Sequence, residues 1–460
     1  MPSFVVKRAE ALFGLSPARS DADACRENAP EAAFELAAAA VGGAVTPQRA
    51  AALEYFRQCG REEELGRLAE AAHLKRGNLS RSAVRALYGD SLRLSASRID
   101  KLSSCRFAYF LQYGLKAKPR QPAEFNPPEM GTFLHFVLEN VAREISENGG
   151  FAAVEPAQVD ALCDKYVAQY IRDTLNDFRE RTPRFVYLFR RLIRSVRTVV
   201  GDMAAELKKS DFAPLDFELN FGDREAFPPV KLGGGDDALV LTGIADRVDG
   251  WLHDGKLYLR VVDYKTGRKA FSLSDVWYGL GMQMLLYLFA LERNGQARYQ
   301  QEIVPAGVLY VPARDVLLSA SAALSPEEIV AQKAKKKRRS GLLLADDAIL
   351  RAMEHGETPE YLPVSIHGGA YSGEHLASAE QFGALARHID ETLRDMAKEL
   401  RAGSVAADPW YRSQTDNACS LCDYAGACHF DEEQDSIRYM TRLRPQQVWE
   451  MLQKGKEAEK

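Results

Sequence analysis

The segment LTGIADRVDGWLHDGKLYLRVVDYKTG, residues 241–267, constrains this chain most. Asp254-Gly255 is a two-residue hairpin signal, because a type I′ turn needs positive φ at both central positions. The residues from Leu239 to Arg247 run apolar or alternate, and Leu257–Tyr264 is β-branched and aromatic, as strands require. If 253 pairs with 256 and 252 with 257, the same ladder carries on to Asp246 opposite Asp263. Directly opposed residues share a face, with Cβ atoms about 4.5–5.5 Å apart. Lys265, two residues beyond Asp263, shares that face, and Asp249 has the other parity and points away from it.

Opposed like charges destabilise a sheet unless something neutralises them. A divalent cation does so, and oxygen ligands suit Mg²⁺ or Mn²⁺. Such an ion polarises a phosphoryl oxygen, with Lys265 orienting water or stabilising developing charge. Spacing alone also fits a second reading, an exposed hairpin with solvated charges and an ordinary Asp–Lys pair.

Around this hairpin the chain is helical. Residues 1 to about 90 form a segment rich in Ala, Glu, Arg and Leu with the period of amphipathic helices. Helices are expected over 95–113, 131–145, 156–210 and 283–292, and strands over 216–220 and 307–311. Residues 116–130 hold four prolines and read as a loop. The fold class is α+β with an α/β core, a small central mixed sheet flanked by helices. No G-x-x-x-x-G-K-[ST] occurs, so any ATP site is expected on another chain or on a part not present. The longest apolar stretch, Leu280–Leu291, is too short for a bilayer, which needs about 20 residues. No secretory signal opens the chain, and the expectation is a cytoplasmic protein without a membrane partner.

The motif residues together resemble the PD-(D/E)XK nuclease superfamily, RecB-type branch. Gly243, Asp246, Arg247, Asp263, Tyr264, Lys265 and Gly267 resemble its second and third motifs. Gln283 and Tyr287 resemble its Q-x-x-x-Y helix, and GTFLHFVLENV (131–141) its helical G-x-x-x-H motif. The resemblance implies the PD-(D/E)XK fold. It implies His135, Asp246, Asp263 and the Tyr264 carbonyl as metal ligands, Asp246, Asp263 and Lys265 as catalytic residues, and DNA contact by Gln283 and Tyr287.

Cys419, Cys422 and Cys428 form C-x₂-C-x₅-C and need a fourth ligand. Cys105 lies in SASRIDKLSSCRFAYFLQYG, which resembles a segment of the AddB-type subunits of bacterial helicase–nucleases. The departure is Arg106, where that family has Pro. The resemblance implies a 4Fe–4S cluster on Cys105, Cys419, Cys422 and Cys428, closing a long loop as a structural staple. Two readings stay open beside it: four-cysteine zinc, and three cysteines plus His429 around zinc. Cys25, Cys59 and Cys163 have no partners at ligand spacing and are expected to be ordinary thiols.

Sixty Lys plus Arg against 64 Asp plus Glu give a net charge of -4, which excludes a uniformly basic nucleic-acid coat but allows a local groove. Two basic clusters stand out. Lys333, Lys335–Lys337, Arg338 and Arg339 fit either a phosphate contact or a solvated loop. Arg184, Arg190, Arg191, Arg194 and Arg197 fit phosphate contacts with aromatic stacking, or a salt-bridged surface using Asp177, Glu180 and Asp202.

The resemblance thus implies residues 1–90 as a helical remnant of a helicase-like region and 91–460 as an AddB-type nuclease domain. Its function is that of a metal-dependent exonuclease acting on single-stranded or unwound DNA ends, in double-strand break repair by recombination. The partner is an AddA-like helicase–nuclease subunit in a heterodimer. The alternative is a DNA-binding scaffold of the same complex with little cutting of its own and a structural Zn or Fe–S site.

Overall fold

The computed structural model describes residues 4–14, 26–43, 45–72, 76–118, 127–178, 182–222, 227–232, 238–265, 267, 270–313, 325–432 and 435–458. The chain divides into two compact units, Met1–Gly77 and Asn78–Lys460. The expected boundary near 90 lies further on than this division. The reason is local: Leu79 donates its N–H to the Gly403 carbonyl, Tyr88 packs on Tyr109, and Arg401 donates to the Gly89 and Asp90 carbonyls. The helix Arg81–Tyr88 therefore belongs to the second unit.

Among its described residues the first unit holds four helices, Phe4–Phe13, Pro30–Gly42, Pro47–Gln58 and Glu62–Ala72. Ala37, Phe56 and Leu65 form its small core, and the Arg61 guanidinium lies 3.7 Å from the Phe34 ring centre.

The second unit is built on an eight-stranded mixed sheet. Its first seven strands in chain order are β1 (Leu92–Ser95), β2 (Ala213–Phe221), β3 (Val230–Leu232), β4 (Leu239–His253), β5 (Lys256–Lys265), β6 (Glu302–Pro312) and β7 (Ser340–Leu344). The path runs β1-β4-β5-β6-β7 and ends on a two-residue strand, Leu376–Ala377. β2 and β3 pair with β4 off this path. The fold is that expected from the sequence, a mixed central sheet flanked by helices.

Three features place the site. First, the hairpin forms as the turn residues dictate. Asp254 and Gly255 have φ of 48° and 74°, and 253 pairs with 256 through to Arg247 with Val262. That ladder brings Asp246 and Asp263 to its open end, next in register. Second, β5 and β6 run parallel, and the buried helix Gln283–Asn294 lies in the connection between them. Third, the helix Pro127–Glu147 buries Phe133, Leu134, Val137, Leu138 and Val141 in the main core and packs on β2. Its first turn takes up Pro127 and Pro128, residues expected in the loop, because proline is tolerated where helical N–H groups have no partner anyway. Residues 119–126, the rest of that loop, lie outside the described residues, as do 233–235.

Among the described residues no helix is long and apolar enough to cross a membrane.

Candidate functional site

His135, Glu218 and Asp246 each bring one ligand atom within 4.8 Å of the others. His135 Nδ1 lies 2.7 Å from Glu218 Oε1, and Nε2 lies 3.6 Å from Asp246 Oδ2. The helix Pro127–Glu147 supplies the imidazole, β4 the aspartate and β2 the glutamate. Asp246 is fixed from behind, since the Tyr264 amide N–H donates to its Oδ2 at 2.9 Å. That is how Tyr264 meets the site.

Asp263 and Lys265 stand on β5 beside this trio. Lys265 Nζ lies 2.7 Å from Asp263 Oδ2 and 2.9 Å from Oδ1. Asp263 is not one of the converging three; it is paired with the ammonium. It is close enough to act through its charge. Burial first, then the negative charge of Asp263, push the Asp246 carboxyl up to about 7. Burial alone would lower the His135 pKa, but the Glu218 hydrogen bond and the Asp246 charge outweigh it and raise it. A pocket that makes a carboxyl reluctant to ionise and an imidazole eager to charge has an excess of negative groups. A cation answers that excess.

The sequence does not single out Glu218. β2 reads as a strand, but which of its side chains faces Asp246 depends on its register with β4. That register shifts between Pro214 and Asp216. Glu218 also has φ of 48°, so strand alternation does not apply there. Locally β2 offers two acidic residues, Asp216 and Glu218, and nothing in the strand's own sequence chooses between them.

Asp249 does point to the opposite face, yet it is not solvated. It is fully buried with Arg247, Arg260, Glu206 and Arg339. Arg247 Nε and Arg260 Nε each lie 2.8 Å from an Asp249 oxygen, and Arg339 Nη2 lies 2.6 Å from Glu206. Burial works against the Glu206 charge, but Arg339, Arg247 and Arg260 outweigh it and hold the carboxyl well below its usual range. Arg247 also donates to the Tyr264 hydroxyl at 2.5 Å. Tyr264 thus ties the two faces, its N–H on Asp246 and its ring in the buried network.

Family comparison agrees with this geometry. Residues 93–429 match the PD-(D/E)XK nuclease superfamily. The chain belongs to that superfamily. Three curated relatives are each named as the B subunit of an ATP-dependent helicase/deoxyribonuclease. The chain is 33% identical over 380 residues to that of Thermoanaerobacter sp. (strain X514), covering 81% of this chain and 33% of the relative. It is 34% identical over 382 residues to that of Ruminiclostridium cellulolyticum, again 81% and 33%. It is 32% identical over 387 residues to that of Clostridium novyi, 82% and 34%. The chain therefore spans about a third of the length of the relatives it matches.

Of the pair resembling the nuclease Q-x-x-x-Y helix, Gln283 is half-buried and Tyr287 is buried, 8% exposed. The Tyr287 ring stacks on Phe221 at 5.1 Å, and a Cβ on Gly243 would stand 2.1 Å from its hydroxyl. In this nuclease fold Gly243 is the gap that lets the Tyr287 ring reach the strand carrying Asp246.

Cys105, Cys419, Cys422 and Cys428 line one cavity of ≈ 270 Å³ with Phe107, Tyr424 and Phe430 around them. Their residue types and convergence fit a thiolate-held metal group. His429 lines the same cavity, in a left-handed conformation with φ of 48°. Cys163 is buried in the main core and Cys59 is exposed. Cys25 lies outside the described residues.

The basic clusters divide. Lys337 pairs with Asp202, Arg338 donates to the Pro359 carbonyl and Arg339 is buried on Glu206, so this end of the run is built into the fold rather than a solvated loop. On the helix Pro183–Lys208, Arg197 pairs with Asp164. Arg184, Arg190, Arg191 and Arg194 are exposed beside Tyr187, and no ion pair engages them among the described residues.

Proposed function

We propose that this chain is a metal-dependent DNA exonuclease domain, degrading one strand of ends unwound by a helicase–nuclease complex during double-strand break repair by recombination in the cytoplasm. One observation carries the reading: His135, Glu218 and Asp246 converge beside the Asp263–Lys265 pair. The name of the relatives supports DNA as substrate and a further subunit as partner, and the partner we propose is an AddA-like motor subunit in a heterodimer.

His135, Asp246 and Asp263, with the Tyr264 carbonyl and joined by Glu218, would hold Mg²⁺ or Mn²⁺. When bound, the ion supplies Lewis acidity toward a phosphoryl oxygen. The chain's own groups do the rest. The Tyr264 N–H keeps Asp246 aimed at the trio. The Glu218 contact at Nδ1 turns His135 Nε2 toward Asp246. Lys265, paired with Asp263 in the structure, would orient the attacking water or steady charge on the phosphoryl group. Gln283, at the start of its helix, contacts the strand near the scissile phosphate, and Tyr287 backs it. Arg184, Arg190, Arg191 and Arg194 give salt-dependent backbone contacts beside Tyr187, a ring on which a base can stack.

At the cysteines we propose a 4Fe–4S cluster. Tetrahedral zinc with Zn–S near 2.3 Å needs sulfurs about 3.8 Å apart. All four thiols border one cavity of ≈ 270 Å³, and the resemblance of the Cys105 segment to AddB-type subunits favours the cluster over a single ion.

The test is direct. Purified chain with Mg²⁺ or Mn²⁺ should degrade single-stranded DNA, and Asp263→Ala should abolish cleavage while leaving DNA affinity largely intact. Undiminished cleavage by that variant sinks the assignment, and tight binding without turnover by the unaltered chain favours a scaffold. A brown protein whose broad visible absorbance bleaches on reduction supports iron–sulfur, and a colourless one with stoichiometric zinc refutes it.

A further inference from the structure

Cys105 and the C-terminal cysteines are more than 300 positions apart, so something must bring them together before a metal can bind all four. The residue after Cys105 carries the structural answer. Arg106 donates its backbone N–H to Asp408 Oδ1 at 2.9 Å, and its guanidinium reaches Asp408 Oδ2. Its Nε donates to Glu399 at 2.9 Å. Asp408 is 2% exposed, and Arg438 approaches the same carboxylate at 3.0 Å. Arg438 then donates to the carbonyls of Ser103 and Ser104, at 2.6 and 3.2 Å, and to that of Asp408 at 2.8 Å. The Phe107 N–H donates to the Ala406 carbonyl at 2.9 Å. Three distant stretches, 103–107, 399–408 and Arg438, are locked around one buried carboxylate beside the cysteine cavity.

Arg106 stands where the resembling family has Pro. A proline there has neither an N–H for Asp408 nor a guanidinium for Asp408 and Glu399. The Arg106 limb of the clasp therefore depends on the arginine at this position. A buried carboxylate shared by two arginines and a backbone N–H is held from several sides, and loss of one partner leaves a charge stranded.

We infer that Asp408, with Arg106, Glu399 and Arg438, is a metal-independent clasp that holds Cys105 at the cavity. The thiols stay gathered when the metal group leaves, and they take it up again without refolding. The reloading half rests on the metal reading of the four cysteines; the placement of Cys105 does not.

The experiment strips the full chain of metal with a chelator under reductant, then labels it with N-ethylmaleimide and follows each cysteine by mass spectrometry. In the unaltered metal-free chain Cys105 should label at least about tenfold more slowly than Cys419, Cys422 and Cys428, because its exposure requires opening of the clasp. Asp408→Asn and Arg106→Pro should remove that protection. Arg106→Lys keeps the N–H and a charge, and should retain most of it. Iron and sulfide added back should restore full visible absorbance in the unaltered chain within one mixing step, and several-fold less in Asp408→Asn. If Asp408→Asn fails to fold, Arg438→Gln serves in its place, with its circular dichroism checked first. Equal labelling of all four cysteines in the metal-free unaltered chain overturns the clasp. Protection of Cys105 with no uptake of iron or zinc leaves the clasp standing and overturns the metal reading.

Discussion

β4 and β5 carry charged residues on both faces, and the two faces are resolved in opposite ways. On one side Arg247, Asp249 and Arg260 meet Glu206 and Arg339 with at most 3% exposure. Every carboxylate there has at least one guanidinium within 3 Å. On the other side His135, Glu218, Asp246 and Lys265 keep 11–31% of their side chains exposed while Asp263 keeps 5%, and three carboxylates share one lysine and one imidazole. On the first face each carboxylate is held by arginine, and the face is closed. The second retains unsatisfied negative charge and an opening. Burial and pairing mark structure; exposure with imbalance marks a place for a cation and a substrate.

This contrast can be broken by four measurements. The largest effect is expected from Asp249→Ala, which strands two buried arginines; chemical denaturation should show a loss of about 3–5 kcal/mol. Equal stability would mean that the closed face is not structural. Next, Asp246→Asn should reduce metal-dependent cleavage by about a thousandfold, or about 4 kcal/mol in barrier, without lowering the melting temperature of the metal-free chain. A comparable loss of stability would place Asp246 with the structural set.

A smaller effect concerns pH. The folded pKa of Asp246, about 7, stands above its ordinary carboxylate value, so its folded form binds the extra proton and loses stability as pH rises toward 7. His135 is also raised, so its contribution is present below the ordinary histidine value and lost as pH climbs through the folded one. Both signs agree. Metal-free protein should melt at a lower temperature at pH 8 than at pH 6 in thermal scans, and Mg²⁺ or Mn²⁺ should shrink the gap because it binds the ionised form. A gap unchanged in Asp246→Asn would assign it elsewhere. Smallest is the surface effect. Changing Arg184, Arg190, Arg191 and Arg194 to Gln should flatten the salt dependence of single-strand binding by about 0.7 in slope for each phosphate no longer neutralised. An unaltered slope would remove that helix from the DNA path.

Much of this is legible in the sequence where the determinants are local. Asp254-Gly255 fixes the hairpin register, and alternation from it separates Asp246 and Asp263 from Asp249. The apolar spacing around His135 marks its helix, and cysteine spacing marks three of the four thiols that meet. What escapes depends on contacts between distant segments. Glu218 needs the register of β2 on β4 and a left-handed backbone at a non-glycine residue. Arg339 reads as part of a basic run fit for either a phosphate contact or a solvated loop, because Glu206, its buried partner, lies 133 positions away. Tyr287 sits one helical turn from Gln283, yet its ring turns inward because Gly243 leaves room and Phe221 offers a stacking surface.

That last arrangement has a mechanical consequence. The phenol fills the space a side chain would otherwise take on β4, three residues before Asp246. Helix and strand are pegged together like a dowel in a board. The helix cannot slide or roll without pushing on the strand, so a pull on Gln283, one turn earlier, arrives at Asp246 with little slack. Gln283 and Asp246 therefore keep a fixed spacing, set by one phenol in one glycine-sized notch.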